Sequence, residues 1–521
     1  MKKRARSLFL ALALCLGLTA PAAMAAEAPA VSRNMGRQDQ TDYSSSTVKS
    51  YLFKNEAGGL TRVEYVGSQI VVEDYSSDFA FQSGRSIPME LSIWGGFFAG
   101  ADYNFFVFGQ RNPDESDSTE VIRVVKYSKD WERLEHASLK GANTTVPFSA
   151  GSLRMDEYGG ELYIRTCHEM YTSDDGLNHQ ASLTLCVDQE RMTVLDSQYD
   201  VRNNSVGYVS HSFNQFVLVD QDGNIVTMDH GDAYPSAAVL MKYSTRAGNG
   251  KFSGRVSNTT IQAFPGQIGK NTTEASLGGL AETDSGYVAA YNDNGTGSRS
   301  PVERKVYLAY VPKSGSSAAV QAISAAGTTT PQLVSTGLDG GYVLWNGKQN
   351  GTGNDTLYYA DYNRTGRTGA VQTAAGSLSD CAPVYYNGRV VWYVTNNSAP
   401  VFYTLDEDGV TRHNSQEAQK PTQPEGPGTQ GPDEDKKPTG SGDLTLTASG
   451  SSTAAREYAV LADGRLVRWK DKALLDTGYQ AVSFAENRYM GSRQMVRFGL
   501  GASGIPCPII RSKSRSKCCP M

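Results

Sequence analysis

The feature that most constrains the fold is a short segment that recurs along the chain. Each copy joins a Gly, Asn or Asp turn to a run of β-branched and aromatic residues, a composition typical of strands. The copies start 58, 53, 73, 55 and 46 residues apart. Long stretches with apolar residues at i, i+3 and i+4 are lacking, so the pattern predicts an all-β protein. The copies are Asp102–Gly109, Gly160–Thr166, Phe213–Asp220, Gly286–Asn292, Gly341–Asn346 and Asn387–Val394.

The spacing of these segments suggests a β-propeller. A period of roughly 40–55 residues suits a blade of four short strands, and blades stack radially because one such sheet cannot bury both of its faces. We expect a propeller of six or seven blades over residues 47–412, closed by N-terminal strands that pack on the last blade. The 73-residue interval predicts a surface excursion at Thr245–Glu274. A pair of β-sandwiches is the alternative architecture.

The N-terminus has the pattern of a secretory signal peptide. A basic start precedes an apolar stretch at Leu8–Thr19 and a small-x-small site at Ala23–Ala25, and the stretch is too short to span a bilayer. We expect residues 1–25 to be removed after Ala25, which leaves a polar lead-in at 26–46. The protein is then expected to be secreted, extracellular or held in the cell envelope, with no transmembrane segment.

Charge is distributed unevenly along the chain. The formal net charge is -5, but residues 1–25 carry four basic residues and no acid, and residues 491–521 carry six basic residues and no acid. The body at 26–490 therefore has a charge of -5 - 4 - 6 = -15. An acidic body of this kind argues against a nucleic-acid partner.

The C-terminal part of the sequence differs in composition. Residues 413–443 are rich in proline and predict a disordered linker, and residues 444–490 return to a β pattern that we interpret as a partial repeat. Residues 491–521 form a basic, Cys-containing tail, either non-native or a genuine disordered tail, to which we assign no function. Part of the repeat resembles the regulator of chromosome condensation family, although Lys470 stands where that family has Gly. The resemblance implies one strand–turn–strand unit and rests on Ala459, Leu461, Asp463, Gly464, Leu466 and Trp469.

Two cysteines lie in strand-like runs that flank a turn. Cys167 and Cys186 are placed symmetrically about Gly176, so a hairpin with that register would set them opposite each other, close enough to bond. We therefore predict a Cys167–Cys186 disulfide, with two reduced, buried thiols as the alternative.

The chemically richest region is 165–235, which holds four of the six histidines. Imidazole and carboxylate groups can act as acid and base near neutral pH or ligate a metal. Propeller loops converge at the central channel, so we expect these groups to meet there; isolated structural histidines are the alternative. No spacing is a known metal signature, so no metal ligands are assigned. The catalytic candidates are His168, His211, His230, Asp232 and Tyr234, and the ligand-binding candidates are Arg165, His179 and Asp229.

One turn in this region resembles the Asp-box of sialidase-type propellers. The stretch Thr172–His179 has the spacing of that hairpin motif, with Asn178 and His179 in place of its Thr and aromatic residue. The box is structural in that family, so the resemblance implies a propeller hairpin rather than an activity.

Function is less constrained than fold. No lipase-type, zinc-protease, P-loop or dinucleotide motif is placed in a suitable context. The leading hypothesis is a monomeric binding module for an extracellular glycan or an envelope protein, without a resident cofactor, although a divalent metal is left open. The alternative is a carbohydrate-active enzyme, a lyase or hydrolase, that uses the His, Asp and Tyr groups of residues 165–235. A structural scaffold is a third possibility.

Overall fold

The structure is a computed structural model that describes most of the chain before residue 415 and three short strands after it. The described residues are 32–34, 47–201, 203–204, 208–209, 212–231, 236–265, 271–295, 303–325, 327–347, 356–414, 458–460, 466–468 and 474–475. The chain divides into two compact units, Met1–Thr422 and Gln423–Met521.

The first unit is a seven-bladed β-propeller, which confirms the all-β prediction and fixes the number of blades. Within the described residues, seven sheets each contain four consecutive antiparallel strands. Blade 1 comprises β1 (Ser50–Lys54), β2 (Leu60–Val66), β3 (Gln69–Tyr75) and β4 (Phe81–Pro88), and blade 2 comprises β5 (Ile93–Ala99), β6 (Asn104–Gly109), β7 (Glu120–Tyr127) and β8 (Arg133–Lys140). A short strand, β9 (Val146–Pro147), follows blade 2 and pairs with the second strand of blade 3. Blade 3 comprises β10 (Arg154–Tyr158), β11 (Glu161–Thr172), β12 (Asn178–Asp188) and β13 (Thr193–Gln198).

A two-stranded hairpin, β14 (Asn203–Asn204) and β15 (Tyr208–Val209), precedes blade 4. Blade 4 comprises β16 (Ser212–Val219), β17 (Asn224–Gly231), β18 (Ala237–Arg246) and β19 (Val256–Ala263), and blade 5 comprises β20 (Ser276–Glu282), β21 (Gly286–Asp293), β22 (Lys305–Pro312) and β23 (Ala319–Ala322). Blade 6 comprises β24 (Gln332–Gly337), β25 (Gly340–Gly347), β26 (Thr356–Asn363) and β27 (Gln372–Ala375). Blade 7 comprises β28 (Val384–Tyr386), β29 (Arg389–Asn396), β30 (Ala399–Asp406) and β31 (Gly409–Asn414).

The predicted surface excursion at Thr245–Glu274 is wrong, because the fourth strand of blade 4, β19, lies within it. The long interval arose because Phe213–Asp220 falls on a first strand, β16, whereas the other recurring segments fall on second strands. The second strand of blade 4 begins at Asn224. When the spacing is measured to that residue, the 53- and 73-residue intervals become 224 - 160 = 64 and 286 - 224 = 62 residues.

The hydrophobic core consists of the interfaces between neighbouring blades. A separate cluster of buried apolar side chains lies between each successive pair of blades, and another joins blade 7 to blade 1. The second strand of blade 2, β6, shows how the sequence serves two interfaces. Phe106 and Phe108 pack towards blade 1, whereas Phe105 and Val107 pack towards blade 3. Because alternate side chains point to opposite faces of a sheet and both faces are buried, such strands are continuous apolar runs.

The ring closes through apolar packing and through three residues of the polar lead-in. Asn34 donates from Nδ2 to Ser379 Oγ at 2.8 Å and accepts from the Asp380 amide at 3.0 Å, both beside blade 7. Ser32 Oγ donates to Glu64 Oε2 of blade 1 at 2.8 Å, and the Arg33 amide donates to Glu64 Oε1 at 2.6 Å. Residues 32–34 therefore bridge the first and last blades.

The turns define two faces of the propeller. Because neighbouring strands are antiparallel, the first and third turns of a blade lie at the same end of its sheet. Lys313 in the third turn of blade 5 pairs with Asp222 in the first turn of blade 4 at 3.2 Å. Arg364 in the third turn of blade 6 pairs in the same way with Asp284 of blade 5 at 3.2 Å. We call the side that carries these turns the first-turn face.

The second unit is described only as a three-stranded antiparallel sheet of β32 (Tyr458–Val460), β33 (Leu466–Arg468) and β34 (Leu474–Leu475). Its first two strands lie on either side of the Asp463-Gly464 position, which is outside the described residues. The family resemblance of this segment stays a prediction. The signal peptide, the linker beyond Asn414 and the basic tail also lie outside the described residues. Across the described parts of both units, no helix is long and apolar enough to cross a membrane.

Candidate binding site

His168, a catalytic candidate, is a buried structural residue on β11. Its Nδ1 lies 2.7 Å from Thr144 Oγ1, and its Nε2 lies 2.7 Å from the Tyr199 carbonyl oxygen. A carbonyl can only accept, so Nε2 carries the proton. Burial lowers the pKa of His168 to about 4. The ring is therefore neutral at pH 7, with both nitrogens engaged.

Three further candidates, His230, Arg165 and Asp229, are also buried. His230 on β17 is fully buried and packs edge-on against Phe213 and Phe264, with ring centroids 5.5 and 5.2 Å away. Arg165 of blade 3 donates from Nε to Asp229 Oδ1 of blade 4 at 3.2 Å and makes a second bond from Nη2 to Oδ2. This bidentate pair ties two blades together and has no open surface for a ligand.

His179 lies apart from these residues, at the exposed start of β12 beside the β11–β12 turn. Its Nε2 is 2.8 Å from Asp175 Oδ2, and the Asp175 carboxylate also accepts from Ser173 Oγ and the Leu177 amide. Hydrogen bonds from Ser173, His179 and Leu177 lower the pKa of Asp175 to about 2. The Asp-box-like stretch is thus a hydrogen-bonded hairpin turn, and Thr172 at its start donates from its amide and its Oγ1 to Glu115 Oε1 of blade 2 at 2.8 and 2.7 Å. His211, Asp232 and Tyr234 lie outside the described residues, and the described candidates do not meet in one pocket.

The predicted disulfide is wrong, because both cysteines are free thiols. In the β11–β12 hairpin Cys167 is opposite Ser182, and Cys186 is opposite Tyr163. The register therefore places the cysteines four positions apart, about 13 Å along the strand. A bulge between Glu169 and Thr172 accompanies this register.

No three His, Cys, Asp or Glu residues among those described are arranged to hold a metal ion.

The structure has an open groove on the first-turn face, between blades 1 and 2. The cavity is about 630 Å³ in volume, within the usual range for small-molecule sites. The first turn of blade 1 (Asn55–Gly59), the third turn of blade 1 and the third turn of blade 2 line it. Phe53 and Trp131 supply its aromatic surface, and both are half-buried.

Trp131 occupies a backbone position that normally belongs to glycine. In its turn the Trp131 amide donates to the Ser128 carbonyl at 3.0 Å and the Ser128 amide donates to the Glu132 carbonyl at 2.9 Å. The turn at Asn363–Arg367 has the same two bonds, but there Gly366 takes the equivalent place with a φ of 70°. Trp131 has a φ of 68°, which is rare for a bulky residue and strained by about 1–2 kcal/mol.

Polar groups surround the aromatic surface of the groove. Arg85 pairs with Asp74 at 3.2 Å, and its guanidinium lies 5.9 Å from the centre of the Trp131 ring. Asp74 also accepts from Thr61 Oγ1 at 2.6 Å and Ser83 Oγ at 2.9 Å, so its carboxylate is held in place. Exposed Gln82 adds an amide to the same wall.

A second cavity, of about 380 Å³, occupies the centre of the ring. Residues from the first strands of all seven blades line it, among them Tyr51, Arg154, Phe216 and Val384. None of the described histidines lines either cavity.

Sequence reasoning missed both cavities because it searched for acid–base chemistry. A signal for the groove was present: YSSDF at Tyr75–Phe79 and YSKDW at Tyr127–Trp131 are a short internal repeat. Both copies place an aromatic residue at a positive φ, 68° at Phe79 and at Trp131. Phe79 is buried against Phe402 of blade 7, whereas Trp131 keeps part of its ring open to the groove.

No protein-family model matches the chain, and no curated protein sequence matches it. Among solved structures the chain is similar to an ulvan lyase of a polysaccharide lyase family, with a TM-score of 0.43 and 9% identity over 74% of this chain and 93% of the lyase. It is also similar to prolyl oligopeptidase B from Galerina marginata, with a TM-score of 0.41 and 8% identity over 72% of this chain and 52% of that chain.

TolB from Acinetobacter baumannii superposes with a TM-score of 0.31 and 12% identity, over 67% of this chain and 76% of TolB. At these identities and TM-scores the likeness assigns neither a site nor an activity to this chain.

Proposed function

We propose that the protein is an exported β-propeller that binds an extracellular glycan in the groove between blades 1 and 2. The observation that carries this proposal is Trp131, a half-buried indole held at a strained backbone position on the groove wall. Strain of this kind is found at functional sites when the surrounding structure supports it.

Packing explains only part of the Trp131 ring. One part stacks on Phe97 with ring centroids 6.0 Å apart and contacts Phe53 at 6.3 Å. Trp131 also lines the groove, and aromatic side chains combine an apolar surface with a polar edge. A sugar ring has the matching chemistry, because it presents an apolar C–H face and hydroxyl groups around its rim.

The polar wall suits the hydroxyl rim of such a ligand. Gln82 and Asn55 supply amide groups, and Arg85 and Lys54 supply cationic donors, all at the same cavity. Asp74 orients Arg85 through their ion pair. These groups can bind and orient a saccharide without any covalent step.

Binding fits the described residues better than catalysis. His168 is neutral and doubly hydrogen bonded, and Arg165 and Asp229 are paired with each other between two blades. The proposal therefore rests on the groove and not on the histidine region.

The test is a glycan array with the full-length protein, followed by titration of the best ligand against variants. We expect Trp131→Ala to weaken binding at least tenfold and Gln82→Ala to weaken it severalfold. Trp131→Phe should retain most of the affinity, because it keeps an aromatic face. Tyr385→Ala removes an exposed aromatic ring that does not line the groove, so it is the matched control and should bind normally.

Two results would overturn the proposal. One is the absence of any glycan ligand for the wild-type chain. The other is binding that survives Trp131→Ala in a variant whose circular dichroism spectrum shows a native fold.

A further inference from the structure

Three residues of the lead-in lie between blade 7 and blade 1 in the manner of a bound peptide. The side chains of Ser32 and Asn34 are buried, whereas that of Arg33 between them is exposed. This alternation is typical of an extended peptide on a protein surface, because successive side chains of an extended chain point in opposite directions. We call the surface that receives these residues the blade 7–1 seam; it is formed by Glu64, Ser379, Asp380, Thr395 and Ser398.

Backbone groups of the segment bond to both blades. The Ser32 amide donates to the Ser398 carbonyl at 2.8 Å, and the Asn34 carbonyl accepts from the Thr395 amide at 3.1 Å. The amide of the residue between them donates to Glu64 Oε1 at 2.6 Å. Main-chain bonds of this kind supply affinity for a peptide without reading its sequence.

The two buried side chains supply the sequence preference. Ser32 Oγ donates to Glu64 Oε2 at 2.8 Å and lies 2.6 Å from Thr395 Oγ1. Asn34 uses both ends of its amide, because it donates to Ser379 Oγ at 2.8 Å and accepts from the backbone amide that follows that serine at 3.0 Å. The seam therefore reads a hydroxyl and an amide that stand two residues apart.

Bonds within the propeller hold the receiving groups in place. Glu64 Oε2 also accepts from Arg62 Nη1 at 2.5 Å and from the Tyr393 hydroxyl at 3.1 Å. Ser379 Oγ donates to the Tyr393 carbonyl at 2.7 Å. These bonds do not involve the lead-in, so the seam is preorganised for its ligand, which lowers the cost of binding.

We infer that the blade 7–1 seam is a peptide-binding site that recognises a Ser-x-Asn segment, and that the lead-in is its intramolecular ligand. Because the lead-in belongs to the same chain, its effective concentration at the seam is high. A separate Ser-x-Asn peptide competes for the seam once the anchors of the lead-in are removed. The site lies beside the β29–β30 turn, at the opposite end of blade 7 from the first-turn face, and it does not depend on the proposed glycan.

The test is isothermal titration of the full-length protein with the peptide Val-Ser-Arg-Asn-Met-Gly, which has the sequence of residues 31–36 and is blocked at both ends. The protein carries Ser32→Ala and Asn34→Ala together, which removes both side-chain anchors of its own lead-in and leaves the seam unchanged. We expect this double variant to bind the peptide about tenfold more tightly than the wild type does. The peptide should also raise the midpoint of thermal unfolding of the double variant.

Equal affinity of the two proteins would show that the lead-in does not occupy the peptide site. No binding to a folded double variant would overturn the inference as a whole. If the double variant does not fold, Ser32→Ala alone takes its place, with the same expected direction and the same contradicting results.

Peptide variants separate sequence recognition from main-chain binding. The peptide with Ser32→Ala and Asn34→Ala should bind the double variant about tenfold more weakly than the original. The peptide with Arg33→Ala is the matched control and should bind as well as the original, because that side chain is exposed. Equal affinity of all three peptides would contradict recognition of Ser-x-Asn.

Variants of the seam locate the site. Thr395→Val, added to the double variant, removes the hydroxyl that faces Ser32 Oγ and should weaken peptide binding severalfold. Unchanged binding would place the peptide elsewhere. Trp131→Ala, added in the same way, should leave peptide binding unchanged, and a loss of binding there would contradict a site separate from the groove.

Discussion

His168 illustrates how burial determines the chemistry of a single side chain. The residue type suggested an acid–base role, but its two ring nitrogens are occupied by Thr144 and Tyr199. The proton on Nε2 and the absence of exposed surface make the ring a structural connector between two loops and a strand. Its effect should therefore be on stability and on the pH dependence of stability.

We predict that His168 makes the propeller less stable in mild acid. Its folded pKa is about 4, below the ordinary value of 6.5, so between these values the unfolded chain binds more protons. The stability that the neutral ring contributes is complete above pH 6.5 and is lost as the pH falls towards 4. The loss amounts to about 3 kcal/mol.

Urea unfolding of the wild type and His168→Gln between pH 4 and 7 measures this effect. The difference between their free energies of unfolding should shrink as the pH falls. Two parallel curves would contradict the buried, neutral histidine. The comparison is made between variants because half-buried Asp156, whose pKa desolvation raises to about 6, changes the stability of both proteins in the opposite direction.

At the scale of elements, the sequence predicts some strands and turns much better than others. Second strands such as β6 and β21 are conspicuous because both of their faces are buried between blades. Outer strands such as β23 are exposed along their whole length, so no hydrophobic pattern indicates them. The β11–β12 hairpin is centred on Asp175, where Thr172 pairs with Asn178, and a bulge then shifts the pairing by one residue. Residue spacing reveals neither feature.

We predict that glycine at position 131 is more stable than alanine, which is the reverse of the usual order on a strand. Glycine tolerates the positive φ of this position and alanine does not, so Trp131→Gly should be more stable than Trp131→Ala by about 1 kcal/mol. Leu134, exposed on the neighbouring strand β8, is the matched control, because alanine should be the more stable choice there. Urea unfolding of the four variants tests the prediction, and the same order at both positions would contradict the strained turn.

The hairpin register predicts that Cys167 and Cys186 remain separate thiols. Burial raises the pKa of Cys167 to about 12, which keeps its thiol protonated and unreactive. A tryptic map under non-reducing conditions should contain no Cys167–Cys186 cross-link, and reductant should leave the midpoint of thermal unfolding unchanged. A cross-linked peptide would show that the register is wrong.

At the scale of the whole molecule, the closed ring is the part of the account that the sequence predicted best. Regular spacing and repeated turns were enough to indicate a propeller, because each blade needs neighbours to bury its faces. The number of blades was ambiguous because the six recurring segments fall one each in blades 2 to 7 and none falls in blade 1. The candidate site was not predictable in the same way, since side chains from blades 1 and 2 form the groove only when the two blades pack together.

Closure itself should depend on Asn34. Its side chain satisfies the Asp380 amide and Ser379 Oγ and is 6% exposed. We predict that Asn34→Ala lowers the free energy of unfolding by about 1–3 kcal/mol, because buried groups of blade 7 lose their partner. Asn396→Ala changes an exposed asparagine of the same blade and should have little effect. Equal effects in urea unfolding would contradict the bridging role of residues 32–34.

The most direct test of the central claim, that this propeller binds a glycan without transforming it, is product analysis under saturating conditions. The full-length protein is incubated with its best array ligand while binding is followed by calorimetry and the glycan is sampled for new chain ends. We predict saturable binding that Trp131→Ala weakens, together with an unchanged glycan. The appearance of new reducing or unsaturated ends, at a rate that scales with protein concentration, would contradict the account.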